Sequence, residues 1–275
     1  LDLPRVSPAQ AARQGAGSIV IGVAAVGGVL PTHWLSELEA ALEAGLDVVS
    51  GQHSRLSSFP TLVQAAARSG ARLIDVRHSD QAFPAGNGSK RNGKRVLTVG
   101  TDCALGKKYT ALALTRALQA RGLTATFRAT GQTGVMIAGE GVAIDAVISD
   151  FVAGAAEQLS PDNNPDHWDV IEGQGSLFHP AYAGVTLGLL HGSQPDALVL
   201  CHDPSRDTIE GYPDFPIPDL QVAIDRYVEA ARLTNRAVRC IGLSINSSTL
   251  SDAQWAVYAR DLSLKLKLPV VDPLR

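Results

Sequence analysis

Residues 96–110 read Val96-Leu97-Thr98-Val99-Gly100-Thr101-Asp102-Cys103-Ala104-Leu105-Gly106-Lys107-Lys108-Tyr109-Thr110. The apolar run that opens this stretch predicts a buried strand, and the residues from Lys107 onward have the spacing of an amphipathic helix. Gly100 and Gly106 bound the loop between the two elements. Backbone N–H groups of such a loop form a concave anion site with the helix N-terminus, and a lysine adds a point charge for phosphate. The stretch therefore predicts a phosphate-binding loop in an α/β fold.

This loop departs from the common phosphate-loop pattern in two ways. Five residues rather than four separate Gly100 from Gly106, and Lys108 stands where a nucleotide hydrolase has the Ser or Thr that binds Mg²⁺. Thr110 is two positions further along the helix and would point to a different face. The pattern favours phosphate binding without a metal ion, and we predict no metal site. Lys108 either supplies the charge that Mg²⁺ would carry or points to solvent.

The predicted cofactor-binding residues belong to this loop and the first turn of its helix: Gly100, Thr101, Cys103, Ala104, Leu105, Gly106, Lys107, Lys108 and Tyr109. Cys103 has two interpretations. A thiol beside a helix N-terminus and two lysines can have a lowered pKa and act as a nucleophile, or it can pack inward as a small apolar group.

Apolar strands alternate with amphipathic helices on both sides of the loop, which indicates parallel βαβ units. Upstream, the predicted strands are residues 19–25, 47–50 and 72–76, and the predicted helices are 35–44 and 62–68. Downstream, the predicted strands are 95–99, 124–128, 169–171, 197–201, 238–243 and 269–271, and the predicted helices are 107–121, 142–157, 220–233 and 253–266. Residues 79–94 predict a linker, because Pro, Gly and Asn punctuate them without an apolar period. Their basic cluster is either solvated or part of an anion site. We place the domains at residues 1–92 and 93–275.

Composition and charge exclude several classes of protein. The 275 residues are 45% hydrophobic and 19% charged, which is enough apolar material for a core. The 24 basic and 27 acidic residues give a net charge of −3, which argues against a broad nucleic-acid surface. No apolar run reaches the roughly 20 residues that span a bilayer. Three cysteines without metal-ligand spacing fit a reducing compartment. We therefore expect small-molecule substrates, no nucleic-acid or membrane partner, a cytoplasmic location and a homo-oligomer.

Because the chain opens at Leu1 and its only methionine is Met136, we expect its true start to be missing.

Polar and glycine-rich segments follow several predicted strands, where open parallel sheets bind ligands. Glu172 directly follows one strand and is either a general base of raised pKa or a structural hydrogen-bonding group. Asp102 and His179 are the alternative bases, while His191 and His202 carry a weaker signal because lone histidines are more often structural. We expect substrate contacts from His53, Arg77, Gln132, Thr133, Gln174 and Ser176. Arg77 suits a substrate carboxylate, and an ion pair with a nearby acid is the structural alternative.

The chain also resembles known families. The loop from Gly100 to Lys107 is similar to that of dethiobiotin synthetase. A resemblance over nearly the whole chain is to the D-glutamate N-acetyltransferase family, long described as a domain of unknown function. The matching motifs are Gly27-Gly28-Val29-Leu30-Pro31 with Trp34, Gly51-Gln52-His53, Asp75-Val76-Arg77, Gly100-Thr101-Asp102-Cys103, Thr130-Gly131-Gln132-Thr133-Gly134, Asp145 with Asp150-Phe151, Glu172-Gly173-Gln174-Gly175-Ser176, and His179-Pro180.

The second resemblance implies a Rossmann-like N-terminal domain, a P-loop-like C-terminal domain, and acetyl transfer from acetyl-CoA to an acidic amino acid, D-glutamate in particular. The amino acid would lie in an interdomain cleft, and N–H groups of residues 173–176 would stabilise the oxyanion. An ATP- and Mg²⁺-dependent ligase of the dethiobiotin synthetase type is the alternative, with Thr110, Asp102 or Glu172 as the replacement metal ligand. A nucleotide-binding regulatory module is a third interpretation.

Overall fold

Two parallel sheets organise the chain, one in each of the units Leu1–Gln81 and Ala82–Arg275. This computed structural model describes residues 4–23, 28–79 and 81–275. The division between the units falls inside the segment 79–94 that the sequence predicts to be a linker. The end of the predicted strand 19–25 and the motif residue Gly27 lie outside the described residues. The mixed α/β class with parallel sheets that the sequence predicts is confirmed.

The first unit consists of a three-stranded parallel sheet and three helices. Its strands are β1 (Ser18–Val20), β2 (Asp47–Ser50) and β3 (Leu73–Asp75), and its helices are α1 (Pro8–Arg13), α2 (Leu35–Glu43) and α3 (Pro60–Ser69). The strands are parallel in the order β1-β2-β3. Leu42, Val48 and Leu62 meet in its core, since α2 and α3 each turn an apolar face to the sheet.

The second unit has a six-stranded parallel sheet and a two-stranded antiparallel hairpin. Its strands are β4 (Lys94–Gly100), β5 (Ala125–Arg128), β6 (Trp168–Ile171), β7 (Ala197–His202), β8 (Thr208–Ile209), β9 (Tyr212–Pro216), β10 (Arg239–Ile245) and β11 (Val270–Val271). Its helices are α4 (Lys107–Ala120), α5 (Gln132–Ala138), α6 (Val152–Leu159), α7 (Ala183–Ser193), α8 (Leu220–Ala231) and α9 (Asp252–Leu266). No helix in the described part of the chain is long and apolar enough to cross a membrane.

Strand β4 lies inside the large sheet, and helices cover both of its faces. Leu97 and Val99 pack into a core that includes Leu190 of α7, whereas Val96 packs on the opposite face with Ala111 of α4. Side chains alternate between faces along a strand, so a strand covered on both sides is apolar at nearly every position. This explains the continuous apolar run that predicts β4.

The order of the large sheet is β5-β6-β4-β7-β10-β11, so the strands that follow β4 in the chain are added on both sides of it. The strands β5 and β6 lie on one side of β4, and β7, β10 and β11 lie on the other. Such a change of direction leaves a crevice at the carboxyl ends of the strands, where α/β proteins bind ligands. The loop after β4 and the segment after β6 both end there.

The predicted helix 142–157 is wrong for the residues before Val152. Within the predicted helix 142–157, the N–H groups of Val142 and Ile144 donate to the carbonyls of Ala129 and Thr130 at 3.0 and 2.9 Å. These long-range bonds replace the helical ones, and the segment forms two short 3₁₀ turns instead. Only α6 continues as an α-helix.

Helices α5 and α7 and the hairpin β8–β9 are absent from the sequence prediction. Helix α7 is apolar nearly all round, so it has no amphipathic period to detect. Its Gly192 lies so close to α6 that an added Cβ would come within 2.1 Å of the carbonyl oxygen of Ala153. The glycines therefore allow the two helices to pack closely.

The segment before β4 is anchored to the second unit. The N–H groups of Asn87 and Gly88 donate to the buried carboxylate of Glu157 at 3.0 and 2.8 Å. Arg91 donates to the carbonyl of Gly192 at 2.7 Å. Part of the basic cluster of residues 90–95 therefore has a structural role.

Candidate active site

A cavity of about 430 Å³ lies at the carboxyl ends of β4 and β6. Residues 103–109, Gln132, Thr133 and residues 172–175 line it. The structure thus brings together the loop after β4, the start of α5 and the segment after β6, which are far apart in the sequence.

The loop and the start of α4 carry a set of unpaired backbone donors. Cys103 N–H donates to Asp102 Oδ1 at 2.6 Å, but the N–H groups from Ala104 to Tyr109 donate to no described residue. Ala104 and Gly106 have φ values of +52° and +96°, and α4 begins without a side-chain cap. Unpaired N–H groups at a helix N-terminus bind anions, so this segment is suited to a phosphate group.

Lys107 lies beneath this loop and is only 7% exposed. Its Nζ donates to the carbonyl of Asp102 at 2.8 Å, and burial lowers the pKa of its ammonium group. Gly173 packs directly against the backbone of β4 beside the lysine stem, because a Cβ there would lie 1.7 Å from Thr98 O and 3.0 Å from Lys107 Cδ. A bound phosphate would compensate the buried charge of Lys107.

Lys108 also lines the cavity. Its Nζ lies 4.8 Å from the centre of the Tyr109 ring, as a cation–π contact. Thr110 lies on the other side of α4, where its Oγ1 is 2.7 Å from Ser244 Oγ and donates to Gly106 O at 3.1 Å. No hydroxyl of α4 therefore replaces the magnesium ligand that Lys108 displaces.

Glu172 is the one of the three candidate bases that has a carboxylate oxygen without a partner among the described residues. Its Oε2 accepts from the N–H groups of Thr130 and Gly131 at 3.0 and 3.2 Å, and its Oε1 accepts from none. Burial raises the pKa of this carboxyl, while the two N–H bonds and the ammonium groups of Lys108 and Lys107 oppose that rise. A buried, oriented carboxylate of raised pKa is suited to accept a proton.

Both carboxylate oxygens of Asp102 accept hydrogen bonds. Arg206 Nη1 and Glu210 N–H donate to its Oδ2 at 2.7 and 2.9 Å, and Cys103 N–H occupies Oδ1. Its side chain is fully buried and forms an ion pair with Arg206. Asp102 therefore serves to hold the loop, and the geometry does not favour it as a base.

His179 also lacks the geometry of a base. Ala181 N–H donates to its Nδ1 at 3.1 Å, and its ring stacks on Tyr182 with a centroid distance of 4.3 Å. A second proton would have to enter at Nδ1 and break that bond. Burial lowers the pKa of this imidazole, which agrees with a neutral ring whose proton is on Nε2.

Asp102, Cys103 and His179 each offer one ligand atom within 4.8 Å of the others, a spacing that could hold a metal ion. The chemistry of the three groups does not fit one. Burial raises the pKa of the Cys103 thiol, which disfavours both a thiolate ligand and a thiolate nucleophile. A ligating histidine normally donates from its other ring nitrogen, whereas Nδ1 of His179 accepts. Arg206 already neutralises Asp102.

The two histidines with the weaker signal, His191 and His202, do not line the cavity and have polar contacts elsewhere. His202 Nδ1 lies 3.0 Å from Thr101 Oγ1, and burial lowers the pKa of His202 to about 4, so its ring is neutral near pH 7. His191 Nε2 lies 3.1 Å from the carbonyl of Ala230. Gly100 and Thr101 lie below the cavity rather than in its wall, and Gly100 O accepts from Tyr227 Oη at 2.7 Å.

The other predicted substrate contacts divide into two groups. Gln132, Thr133 and Gln174 line the cavity, but Ser176 is fully buried and its Oγ accepts from Phe178 N–H at 3.2 Å. Gly173 N–H is taken by Thr98 Oγ1 at 2.9 Å. Within residues 173–175, the N–H groups of Gln174 and Gly175 donate to no described residue.

His53 and Arg77 belong to the first unit. Arg77 is buried and its Nε donates to Gly51 O at 2.8 Å, while His53 N–H donates to Gly28 O at 2.8 Å. Gly28 is required there, because it has a φ of +64° and a Cβ would lie 2.1 Å from the His53 ring.

Sequence reasoning misses Arg206, although this residue holds the loop through Asp102 and also donates to Cys103 O at 3.0 Å. The available signal is chemical: a buried aspartate in a loop requires a cationic partner. The two residues are 104 positions apart, so nothing local identifies the partner.

This fold and site define an α/β protein with a P-loop-like anion site that carries lysine in place of the metal-binding hydroxyl. Residues 83–275 match the DUF1611 P-loop domain, and residues 1–79 match the DUF1611_N Rossmann-like domain, both described as domains of unknown function. The chain belongs to the DUF1611 family.

Its relatives are similar over nearly the whole chain. A protein of Pseudoalteromonas named D-glutamate N-acetyltransferase is 49% identical over 273 residues, which cover 99% of this chain and 82% of the relative. One of the same name from Tritonibacter scottomollicae is 47% identical over 275 residues, 100% of this chain and 83% of the relative. The crystal structure of a DUF1611 family protein from Anabaena variabilis is 37% identical with a TM-score of 0.91, and covers 98% of this chain and 79% of that one. The family resemblance seen in the sequence is confirmed.

Proposed function

We propose that this protein transfers the acetyl group of acetyl-CoA to the amino group of D-glutamate. The observation that carries the proposal is that one cavity contains both an unpaired anion cradle and the oriented carboxylate of Glu172. The names and the identity of the Pseudoalteromonas and Tritonibacter relatives support the reaction and the amino acid. The cradle supports a phosphate-bearing acetyl donor, which acetyl-CoA is.

In this mechanism, the N–H groups from Ala104 to Tyr109 and the ammonium groups of Lys107 and Lys108 bind phosphate oxygens of the donor. Paired lysines neutralise that charge without a metal ion. The amino acid enters as an ammonium ion, which has no lone pair and cannot attack. Glu172 Oε1 accepts one of its protons, and the raised pKa of Glu172 makes this transfer more favourable than it is for an exposed glutamate.

The neutral amine then attacks the thioester carbonyl carbon, and a C–N bond forms as the carbonyl oxygen becomes negative. The unpaired N–H groups of Gln174 and Gly175 are the donors available to that oxygen. The C–S bond breaks, the electron pair leaves with sulfur as the CoA thiolate, and the amide nitrogen loses its extra proton to solvent. The products are N-acetyl-D-glutamate and CoA.

The ligase alternative has no comparable support in the geometry. It requires an oxygen ligand for Mg²⁺ beside the phosphate, yet Thr110 is bound to Ser244 and Asp102 to Arg206. Glu172 would be the remaining ligand, and it lies between the two cationic lysines and the backbone donors of residues 130–131.

The test follows free thiol release from acetyl-CoA with D-glutamate and with L-glutamate. We expect release with D-glutamate, and a loss of about 10²- to 10⁴-fold in kcat for Glu172→Gln. Exposed Glu140 provides the matched control, since Glu140→Gln makes the same chemical change outside the cavity. Calorimetry with CoA and with ATP, each with and without Mg²⁺, completes the test. Metal-dependent ATP binding without CoA binding would overturn the proposal.

A further inference from the structure

A second, smaller cavity of about 150 Å³ lies against the same loop. It shares residues 104–106 and Tyr109 with the larger cavity, and its other walls are Thr110, residues 244–246 and residues 272–274. The shared residues carry four of the six unpaired N–H groups of residues 104–109. The phosphate cradle is therefore common to two cavities, of which only the larger contains Glu172.

Among its lining residues, the second cavity has no histidine, lysine or glutamate, and its one carboxylate, Asp272, is already hydrogen-bonded. Asp272 accepts from Ser247 N–H at 3.0 Å on Oδ2 and from Leu274 N–H at 2.9 Å on Oδ1. The hydroxyls of Thr110 and Ser244 are paired with each other at 2.7 Å. This cavity is thus suited to binding and not to reaction.

Its surface combines apolar walls with backbone acceptors. Leu105 and Leu274 contribute aliphatic groups, and Tyr109 contributes an aromatic ring that is 50% exposed. The carbonyl oxygens of Asn246 and Pro273 accept from no described residue. A flat ring with an exocyclic amino group would fill such a site, since it stacks on the aromatic ring and donates to the carbonyls.

The volume of the second cavity is suited to one part of a larger ligand. Pockets that enclose a whole small molecule usually measure about 300 Å³ or more. A ligand bound through phosphate at the shared loop can place one end in each cavity. If the reacting thioester lies beside Glu172, the other end of the molecule must leave the loop in the opposite direction.

We propose that this second cavity, formed by residues 104–106, 109–110, 244–246 and 272–274, binds the adenine ring of the acetyl donor. The inference rests on the proposed function, because it takes the donor to be an acyl-CoA. It adds a recognition site that selects donors carrying a purine nucleotide over those carrying only the phosphopantetheine arm.

The test compares CoA with 4′-phosphopantetheine, which lacks the adenosine and two of the three phosphates of CoA, by calorimetry without turnover; the adenine contribution is isolated by a cavity variant. Leu274→Trp places a large ring at the cavity from a residue that is 72% exposed, so it should not disturb the fold. Leu264→Trp is the matched control, since Leu264 is also 72% exposed and lines neither cavity. Thermal denaturation verifies that both variants are folded.

We expect the unaltered protein to bind CoA at least about tenfold more tightly than 4′-phosphopantetheine, given the usual strength of base stacking on an aromatic side chain. Leu274→Trp should reduce that difference by weakening the binding of CoA and not that of 4′-phosphopantetheine, and Leu264→Trp should preserve it. Equal binding of the two ligands by the unaltered protein, or an unchanged difference in Leu274→Trp, would overturn the adenine site while leaving acetyl-CoA as the donor. Failure of the unaltered protein to bind CoA at all would instead overturn the proposed function, and the adenine site with it.

Discussion

Replacing Gly134 by alanine should displace the proposed base without dismantling the fold. A Cβ built on Gly134 would lie 2.2 Å from Glu172 Oε2, and real Cβ contacts below 3.0 Å essentially never occur. The carboxylate must therefore move by about 0.8 Å or more, the difference between these distances. Because Oε2 is the end of a flexible side chain, the glutamate is the group that yields.

The displacement has a predictable effect on the rate. Oε2 is held by Thr130 and Gly131, so a movement of this size breaks or bends those bonds and turns Oε1 away from its orientation. A misplacement of about 1 Å in a reacting group costs on the order of 10²-fold in rate. We expect kcat for thiol release to fall by about that factor, while CoA binding to Lys107 and Lys108 changes little.

Gly184→Ala is the control for this experiment. Gly184 also lies in a helix, and a Cβ there meets nothing within 4 Å. Alanine should stabilise that helix by up to about 1 kcal/mol and leave kcat unchanged. The assays are steady-state thiol release, calorimetry with CoA and thermal denaturation. Full activity in folded Gly134→Ala would refute the assignment of Glu172 as an oriented base.

Four further predictions concern charge. Since only ionised Glu172 accepts a proton, kcat/KM should rise with pH through its raised pKa, above the ordinary value of 4.5, and Glu172→Gln should lose this acidic limb. The raised pKa also means that this group's contribution to stability is lost as pH rises from about 4.5 through the folded-state pKa, so Glu172→Gln should flatten that trend in thermal denaturation. Arg206→Leu removes the ion-pair partner of buried Asp102 and should lower the free energy of unfolding, measured by urea titration, by about 3–5 kcal/mol. The control Arg260→Leu removes an exposed ion pair and should cost about 0–1 kcal/mol. Lys108→Ala should weaken CoA binding by about tenfold in calorimetry, with or without Mg²⁺.

The following results would contradict the predictions about Glu172, Arg206 and Lys108. An acidic limb that survives in Glu172→Gln would mean that another group titrates. A similar cost for Arg206→Leu and Arg260→Leu would mean that the buried ion pair does not hold the loop. Tighter CoA binding with Mg²⁺ in the unaltered protein would mean that Lys108 does not replace a metal ion.

Much of the second unit could be predicted because its elements carry local signals. Strands β4 and β7 are continuous apolar runs bounded by polar residues, and α4 and α8 have clear apolar faces. Helix α7 could not be predicted, since its glycines are explained only by contact with α6. The helix prediction is wrong for residues 142–151 because the N–H groups of Val142 and Ile144 donate to residues 129–130, and the segment otherwise forms only short 3₁₀ turns.

The candidate site divides in the same way. The loop from Gly100 to Lys107 and the position of Glu172 after a strand are local patterns, and the parallel sheet brings strand ends to one edge whatever the details. Local patterns could not rank Glu172, Asp102 and His179, because each residue type can accept a proton.

The sequence by itself determined the α/β class, a P-loop-like segment with Lys107 and Lys108 after its second glycine, and membership of the family. Only the tertiary structure decided which acid is available. Asp102 is paired with Arg206 across 104 residues, and Glu172 is held by Thr130 across 42. The physical reason is that the state of a buried carboxylate depends on the donors packed around it, and those donors come from distant segments that only the folded sheet brings together.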